Sequence, residues 1–430
     1  MLPEIRHDEG IYPVPQFSIQ KVDVEEGFME ELRGFHAAFK EGFARSEPRE
    51  NFFRYMVGQF SSLERKSIQP IALHVEGAKL RPMQNAISDA QWNEGKILST
   101  YHGLINKDMG ESRGVTIFDE SGFVKKGNES AGVARQYCGS IGKVENSQVG
   151  VFAGYASRHG YALVDKRLYI PEVWFDEDHK EKRKKVVLPD DLTFKTKPQL
   201  AAEMLENIIK EGTLPFKYVV ADSVYGDSDD FIKPVEAHVG IVYLVQVASD
   251  NLCWPGEGPA VEIQHYRYRQ EVRSRRIVPE TEKKPLRLDK LAGMLPDAIW
   301  YKRTVSEGAK GPIDYEFTKR RVTLCKEDLP VRTVWLVIKR SLDKKEYSFF
   351  ISNAPLSTRL ATFVWLSGIR WAIEQCFEEA KGELGMDHYE VRKYPAWNHH
   401  ILSCMLAHFF LWHLRIRLGK KITSHYSLAA

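Results

Sequence analysis

Gly114-Val115-Thr116-Ile117-Phe118-Asp119-Glu120 is an apolar, β-branched and aromatic run that ends on two acids. Period-two and continuous apolar patterns of this kind predict a strand. A carboxylate at the end of such a strand has no packing reason to be there. The pattern recurs at Val219-Val220-Ala221-Asp222, followed by Ser223-Val224-Tyr225-Gly226. Both aspartates are expected at carboxyl ends of strands, where ligands gather in open α/β sheets. For either one alone, a turn-forming or helix-capping role carries equal weight.

Working outward, residues 149–156 and 161–170 read as further strands joined by Ser157-Arg158-His159-Gly160. A helix over 199–211 leads to the strand 218–221, and a short helix over 229–237 leads to a strand over 241–247. Three strands in a meander, then helix and strand in alternation, predict an α/β class with a mixed sheet and helices on its faces. Residues 1–105 form a helical N-terminal domain, with apolar residues at three- and four-residue steps over 25–43 and 51–56. The core then covers 106–248, a β-rich stretch over 249–345 breaks the rhythm as an insertion, and the core resumes over 346–430.

The chain of 430 residues is 43% hydrophobic and 28% charged, which excludes a disordered or collagen-like chain. Its formal charge is only +3. Five scattered cysteines, Cys138, Cys253, Cys325, Cys376 and Cys404, never fall in C-x-x-C spacing, so they read as reduced core thiols and support no zinc site. The first twenty residues lack the apolar run of a signal peptide. The most apolar stretch, 401–414, is interrupted by His408 and His413 and falls short of the roughly 20 residues of a membrane span. The protein is therefore expected to be intracellular and to have no membrane partner.

A last strand over 347–352 precedes a long helix predicted over 357–385. Trp365, Leu366, Ile369, Ile373, Phe377 and Leu384 define its buried stripe. At about 100° per residue, Arg370, Glu374 and Lys381 fall within roughly 40° of one another beside that stripe. An i,i+4 salt bridge on a solvated face explains Arg370 and Glu374 equally well.

These segments together resemble the DDE transposases of bacterial insertion sequences, in the group with the Y-R-E-K signature and the insertion sequence 701 type. Arg370-Trp371-Ala372-Ile373-Glu374, with Lys381 and Leu384-Gly385-Met386-Asp387-His388-Tyr389-Glu390, is similar to the third catalytic block. Phe118 to Phe123, Lys126-Gly127, Gly132 to Gly139 and Gly142-Lys143 resemble the first-Asp block, and Val219 to Gly226 the second. Leu63-Glu64-Arg65-Lys66-Ser67-Ile68-Gln69-Pro70 also resembles that type. Two positions depart from the pattern: Ser367 stands where a tyrosine is expected, and Ser147 where a cysteine is expected.

The resemblance implies an RNase H-like core and a carboxylate triad of Asp119, Asp222 and Glu374. Two Mg²⁺ (or Mn²⁺) ions would be held, Asp119 bridging both and the other two acids holding one each, an all-oxygen set that suits such ions. It further implies DNA-end binding by the helical domain 1–105, phosphate contacts from Arg370 and Lys381, DNA contacts from Lys126 and Arg135, double-stranded DNA of transposon ends and target as partner, a homodimer in the DNA complex, and a bacterial cytoplasmic, nucleoid-associated location. A domesticated DNA-binding protein without activity and a purely hydrolytic RNase H-like nuclease are the alternatives.

Charge is segregated along the chain. Residues 261–345 carry +9 and residues 391–430 carry +6, so the remainder is acidic. Arg267, Arg269, Arg273, Arg275 and Arg276 alternate with His265, Tyr266 and Tyr268, a mixture suited to phosphate contact and base stacking. A basic, guarded strand edge is the simpler alternative. Trp300 and Trp335 are expected to pack in the core, and His399, His400, His408 and His413 to be core or helix-surface polar residues rather than ligands.

Overall fold

The structure is a computed structural model that describes residues 5–7, 10–12, 27–269, 271–308 and 311–426. Along the chain, strands β1 (Ile5–His7) and β2 (Gly10–Tyr12) come first. Five helices follow: α1 (Phe28–Ala37), α2 (Ser46–Gln59), α3 (Ile68–His74), α4 (Leu80–Ser88) and α5 (Glu94–Met109). Then come β3 (Val115–Val124), β4 (Ala134–Cys138), β5 (Lys143–Ser157), β6 (Gly160–Tyr169), α6 (Lys180–Lys185) and α7 (Lys197–Glu211). Next are β7 (Tyr218–Ala221), α8 (Ser223–Gly226), α9 (Asp229–Ala237), β8 (Val242–Val247) and β9 (Leu252–Pro255). The hairpin β10 (Glu262–Tyr268) and β11 (Glu271–Ile277) precedes β12 (Leu286–Arg287) and α10 (Leu288–Gly293). Last come β13 (Tyr301–Gly308), β14 (Gly311–Lys326), β15 (Leu329–Arg340), β16 (Tyr347–Ser352), α11 (Leu360–Ile369), α12 (Trp371–Leu384) and α13 (Tyr394–Tyr426).

The chain divides into two compact units, one of Met1–Val14 with Tyr218–Arg370 and the other of Pro15–Lys217 with Trp371–Ala430. In the second unit β5 is the central strand, pairing antiparallel with β3, β4 and β6. Helix α7 covers one face. It starts on a capping box between Thr196 and Gln199 and stops at Gly212, which adopts φ +67°. Helices α12 and α13 cover the other face. Helix α13 is a core helix: its residues 394–418 have the length and mean hydropathy (1.3) of a membrane-crossing segment, and 78% of its most apolar stretch is buried. Phe409 and Phe410 pack on Phe35 of α1, and His399 stacks on Trp92 with ring centroids 4.1 Å apart.

The first unit is a mixed sheet in the order β2-β1-β13-β14-β15-β16-β8-β7, with β9 against β14 and β12 against β9. Its parallel pair is β7 and β8, linked through α8 and α9. Helix α11 buries Phe363, Val364, Trp365 and Leu366. Strands β14 and β15 turn on Glu327 and Asp328, both with positive φ, as a two-residue hairpin requires. Thus β13 to β15, from the stretch read as an insertion, extend the sheet through β16 and β8, whereas β10 and β11 form a separate two-stranded ribbon.

Several elements differ from their sequence-based bounds. The helix expected over 25–43 is α1 followed by a 3₁₀ turn at Lys40–Gly42, and its expected start at Glu25 lies outside the described residues. Strand β4 was not expected, and β3 continues five residues past Asp119. The single helix over 357–385 is two helices, interrupted at Arg370. The Ser367 hydroxyl bonds back to the Val364 carbonyl at 2.8 Å, and the neighbouring Gly368 lies so close to Val305 that a Cβ would meet its Cγ1 at 2.7 Å. Back-bonding serines and Gly/Ser pairs are established causes of helix interruption. The expected edge of Arg370, Glu374 and Lys381 is thus divided between elements, Arg370 ending α11 and Glu374 and Lys381 lying on α12.

Candidate active site

Asp119 lies in the middle of β3, half-buried, directly opposite Phe152 of β5. Opposed residues share a sheet face, so Asp119 is on the face of Phe152, and Ile117 on that of its partner Gly154. Helix α12 lies on this face: Phe377 meets Phe152 edge to face at 5.1 Å, and Ile373 lies where a Cβ on Gly154 would touch it at 3.3 Å. Four residues farther on, Lys381 donates to the Gly122 carbonyl at 3.2 Å. Helix α12 therefore runs alongside β3 in the same direction. At 1.5 Å per helical residue and about 3.3 Å per strand residue, Glu374 falls level with the Ile117 to Asp119 segment. Glu374 is exposed on the flank of the buried stripe. The second unit thus packs α12, which carries Glu374, on the sheet face that bears Asp119.

Lys381 is half-buried, its ammonium 5.2 Å from the centre of the Phe123 ring, and burial holds its pKa below the usual lysine value. Lys125 is more perturbed: burial brings it down to about 7, with its ammonium over the Tyr389 ring and bonded to the Tyr389 carbonyl at 3.1 Å. The two lysines tie the β3 end to α12 and the loop after it. The sequence reading passed over Glu120, whose carboxylate accepts from Lys197 of α7 at 2.8 Å. The acid pair Asp119-Glu120 was its only sequence signal, since Lys197 is 77 residues away.

In the first unit, Asp222 follows β7 and caps α8, its Oδ1 accepting from the Val224 amide at 3.0 Å. The capping role and the strand-end placement are both realised, and the cap fixes the carboxylate's direction. Arg370 sits at the end of α11 in helical backbone geometry, half-buried. The three acids offer oxygen donors alone, the donor set that Mg²⁺ or Mn²⁺ takes and that zinc seldom takes.

The ribbon β10–β11 is exposed along nearly its whole length. Register places Tyr266 opposite Arg273, and Gln264 opposite Arg275, on one face. The Arg273 guanidinium lies 4.6 Å from the Tyr268 ring, and that of Arg275 5.5 Å from the Tyr266 ring. Arg267 and Arg276 lie on the opposite face, and Arg269 follows β10 at the turn. Lys126 and Arg135 are exposed in the second unit, after β3 and on β4. Trp300 is buried under the Arg340 guanidinium at 3.9 Å, while Trp335 is half-buried and flanked by Lys319 and Arg321. His399, His400 and His408 are buried, and four of the five cysteines are buried and unbridged, Cys325 being half-buried.

The family described as DDE superfamily endonuclease matches residues 38–312. A probable transposase for insertion sequence element IS701 from Microchaete diplosiphon is 25% identical over 354 residues, covering 80% of this chain and 77% of that one. Among solved structures, a piggyBac transposase synaptic complex with hairpin DNA aligns with 93% of this chain and 77% of its own at TM-score 0.40 and 9% identity. With its α/β RNase H-like core and the family match over most of its length, the chain belongs to the DDE superfamily endonucleases, and within them it is similar to the IS701 transposase.

Proposed function

We propose that the protein is a DNA transposase that binds the terminal inverted repeats of its own element, cuts the DNA ends and joins them to a target. Asp119, Asp222 and Glu374 are its carboxylate triad and hold two Mg²⁺ ions. What supports this reading is membership of the DDE endonuclease family together with the packing of α12, which carries Glu374, on the sheet face that bears Asp119. When bound, the ions neutralise charge on the attacking and leaving oxygens of an in-line phosphodiester displacement. The chain's own residues do the positioning. Asp119 is held by a stiff central part of β3, Asp222 by its cap on α8, and Glu374 by the packing of Ile373 and Phe377. Arg370, Lys126 and Arg135 supply phosphate contacts, and Lys381, drawn to Gly122, supports the strand and lies beside the path of the backbone. The ribbon arginines provide further electrostatic affinity. The protein works in the bacterial cytoplasm on nucleoid DNA, as a dimer that holds two ends.

The test uses purified full-length protein, duplex DNA taken from the boundaries flanking the gene, and Mg²⁺. Nicked and strand-joined products are expected. Asp119→Asn, Asp222→Asn and Glu374→Gln are each expected to lower the rate by about a thousandfold, the equivalent of several kcal/mol of lost charge stabilisation. Unchanged rates in these variants, or hydrolysis with no joined product, would overturn the reading.

A further inference from the structure

Asp119 and Glu120 are neighbours on β3, so their side chains leave the strand on opposite faces. Asp119 opposes Phe152 on the face that α12 covers, while Glu120 opposes Val151 and reaches Lys197 of α7 on the other face. Their carboxylates nevertheless come close, offering oxygens within 4.8 Å of each other. One cation can bind two oxygens separated by up to twice a metal–oxygen distance, roughly 4–5 Å. Glu120 is therefore within reach of a cation held by Asp119. Asp119 is itself oriented by its neighbour's backbone, its Oδ1 accepting from the Glu120 amide at 2.8 Å.

Lys197 holds the second acid. It is the first residue of α7, and its Nζ donates to Glu120 Oε1 at 2.8 Å. The first turn of a helix disfavours a cation, because the aligned peptide dipoles place partial positive charge there. A lysine at this position needs an acid beside it, and the first turn of α7 contains none. Glu120 of the neighbouring strand fills that need. The backbone carrying Lys197 is fixed, since Thr196 and Gln199 bracket it in the capping box and Leu200, Ala201, Met204 and Leu205 are buried. With side chains 19% and 15% exposed, the pair is shielded from the water and salt that weaken surface ion pairs.

The number of carboxylates offered decides which cation a site prefers. Mg²⁺ keeps several waters and takes one or two carboxylates, whereas Ca²⁺ takes about six to eight oxygens and binds more tightly as charged ligands are added. A second acid released beside Asp119 would favour the larger ion.

We infer that Lys197 is a positioning residue that withholds the Glu120 carboxylate from the cation at Asp119 and so keeps the site selective for Mg²⁺ over Ca²⁺. This role rests on the transposase reading, in which Asp119 is a metal ligand.

The experiment titrates the full chain, without DNA, with Tb³⁺ as a stand-in for Ca²⁺. Luminescence lifetimes in H₂O and D₂O count the waters left on the bound ion, and competition gives the Ca²⁺ and Mg²⁺ affinities. Lys197→Met keeps the aliphatic stem and removes the cation from the helix start; thermal melting checks its fold. It is expected to bind Ca²⁺ about tenfold or more tightly, to change Mg²⁺ affinity by less than about threefold, and to strip one or two waters from bound Tb³⁺. Lys197→Arg is expected to match wild type, as is Lys197→Met combined with Glu120→Gln, which removes the released carboxylate. Glu120→Gln alone is expected to leave the water count unchanged, because that carboxylate is not on the ion. A gain of waters in Glu120→Gln would show that Glu120 already ligates, and overturns the inference without recourse to Lys197→Met. Equal gains for Mg²⁺ and Ca²⁺ with an unchanged water count in Lys197→Met would be a simple charge effect, and overturn it too. Asp119→Asn separates the two readings. If it weakens Tb³⁺ binding while Lys197→Met behaves as wild type, the role of Lys197 fails alone; if it leaves Tb³⁺ binding unchanged, the metal site at Asp119 fails and this role with it.

Discussion

Phe152 and Phe377 meet edge to face with ring centroids 5.1 Å apart, and that contact packs α12 on the face of β5 opposite which Asp119 is paired. Truncating the ring in Phe377→Ala leaves a cavity and is expected to cost about 3–5 kcal/mol of stability. It is also expected to slow Mg²⁺-dependent cleavage, because the carboxylate loses its register. Glu374→Gln, on the exposed flank, is expected to abolish cleavage while leaving stability within about 0.5 kcal/mol. Denaturant unfolding and single-turnover cleavage on both variants separate positioning from chemistry; equal losses of stability in the two would contradict the assignment.

Lys381 gives up part of its hydration to reach the Gly122 carbonyl, and burial lowers its pKa. Lys381→Met keeps the aliphatic stem packed against Phe123 and removes the buried charge. Its unfolding free energy is expected to stay within about 1 kcal/mol of wild type, since the lost hydrogen bond and the relieved desolvation oppose each other. Cleavage is nevertheless expected to fall at least about tenfold through the missing cation beside the DNA backbone. A variant that cleaves at the wild-type rate would restrict Lys381 to holding β3.

On the ribbon, arginine and tyrosine have separable effects. Arg273→Gln with Arg275→Gln is expected to reduce the slope of log affinity against log salt by about 0.9 for each phosphate contact removed. Tyr266→Ala and Tyr268→Ala are expected to leave that slope unchanged, and to weaken binding of duplexes with unpaired ends by about 1–3 kcal/mol per stacked base. Fluorescence anisotropy from 50 to 300 mM salt, with blunt and frayed duplexes, reads both. Identical salt slopes for wild type and the double arginine variant would remove the ribbon from the DNA interface.

Three buried histidines of the second unit, His36, His399 and His400, are each held down to about 4, chiefly by burial. Their folded pKa values lie below the unfolded value near 6.5. The unfolded chain therefore binds more protons between those limits, and stability falls as pH is lowered from 6.5 towards 4. Three such groups give a slope of about 4 kcal/mol per pH unit near pH 5. His399→Phe, which retains the stacking on Trp92, is expected to remove about a third of that slope in urea titrations at stepped pH. A slope that the substitution does not alter would mean other groups govern acid unfolding.

What could be read from the sequence was local and periodic. The apolar run into Asp119, the stripe Ile373-Phe377-Leu384 and the strand-end position of Asp222 are set by neighbours two to four residues away. The interruption at Arg370 was hidden because the apolar periodicity runs through it; the break comes from a serine hydroxyl and a glycine contact with Val305, whose partner is far away in sequence. The continuation of β3 past Asp119 depends on its pairing with β5, and the Glu120–Lys197 bond on packing by α7.

The break at Arg370 also has a meaning for synthesis on the ribosome. Strands β3 to β6 are all made by Tyr169, but helix α12, which packs on the Asp119 face, begins only at Trp371, roughly two hundred residues later. At about 5–20 residues per second, that face waits about 10–40 s for its cover. During this interval the nascent chain has an apolar sheet surface suited to a chaperone and lacks Glu374. On the proposed triad, a product terminated before α12 lacks Glu374 and is expected not to cut DNA, so the order of synthesis would delay cleavage competence until the chain is nearly finished.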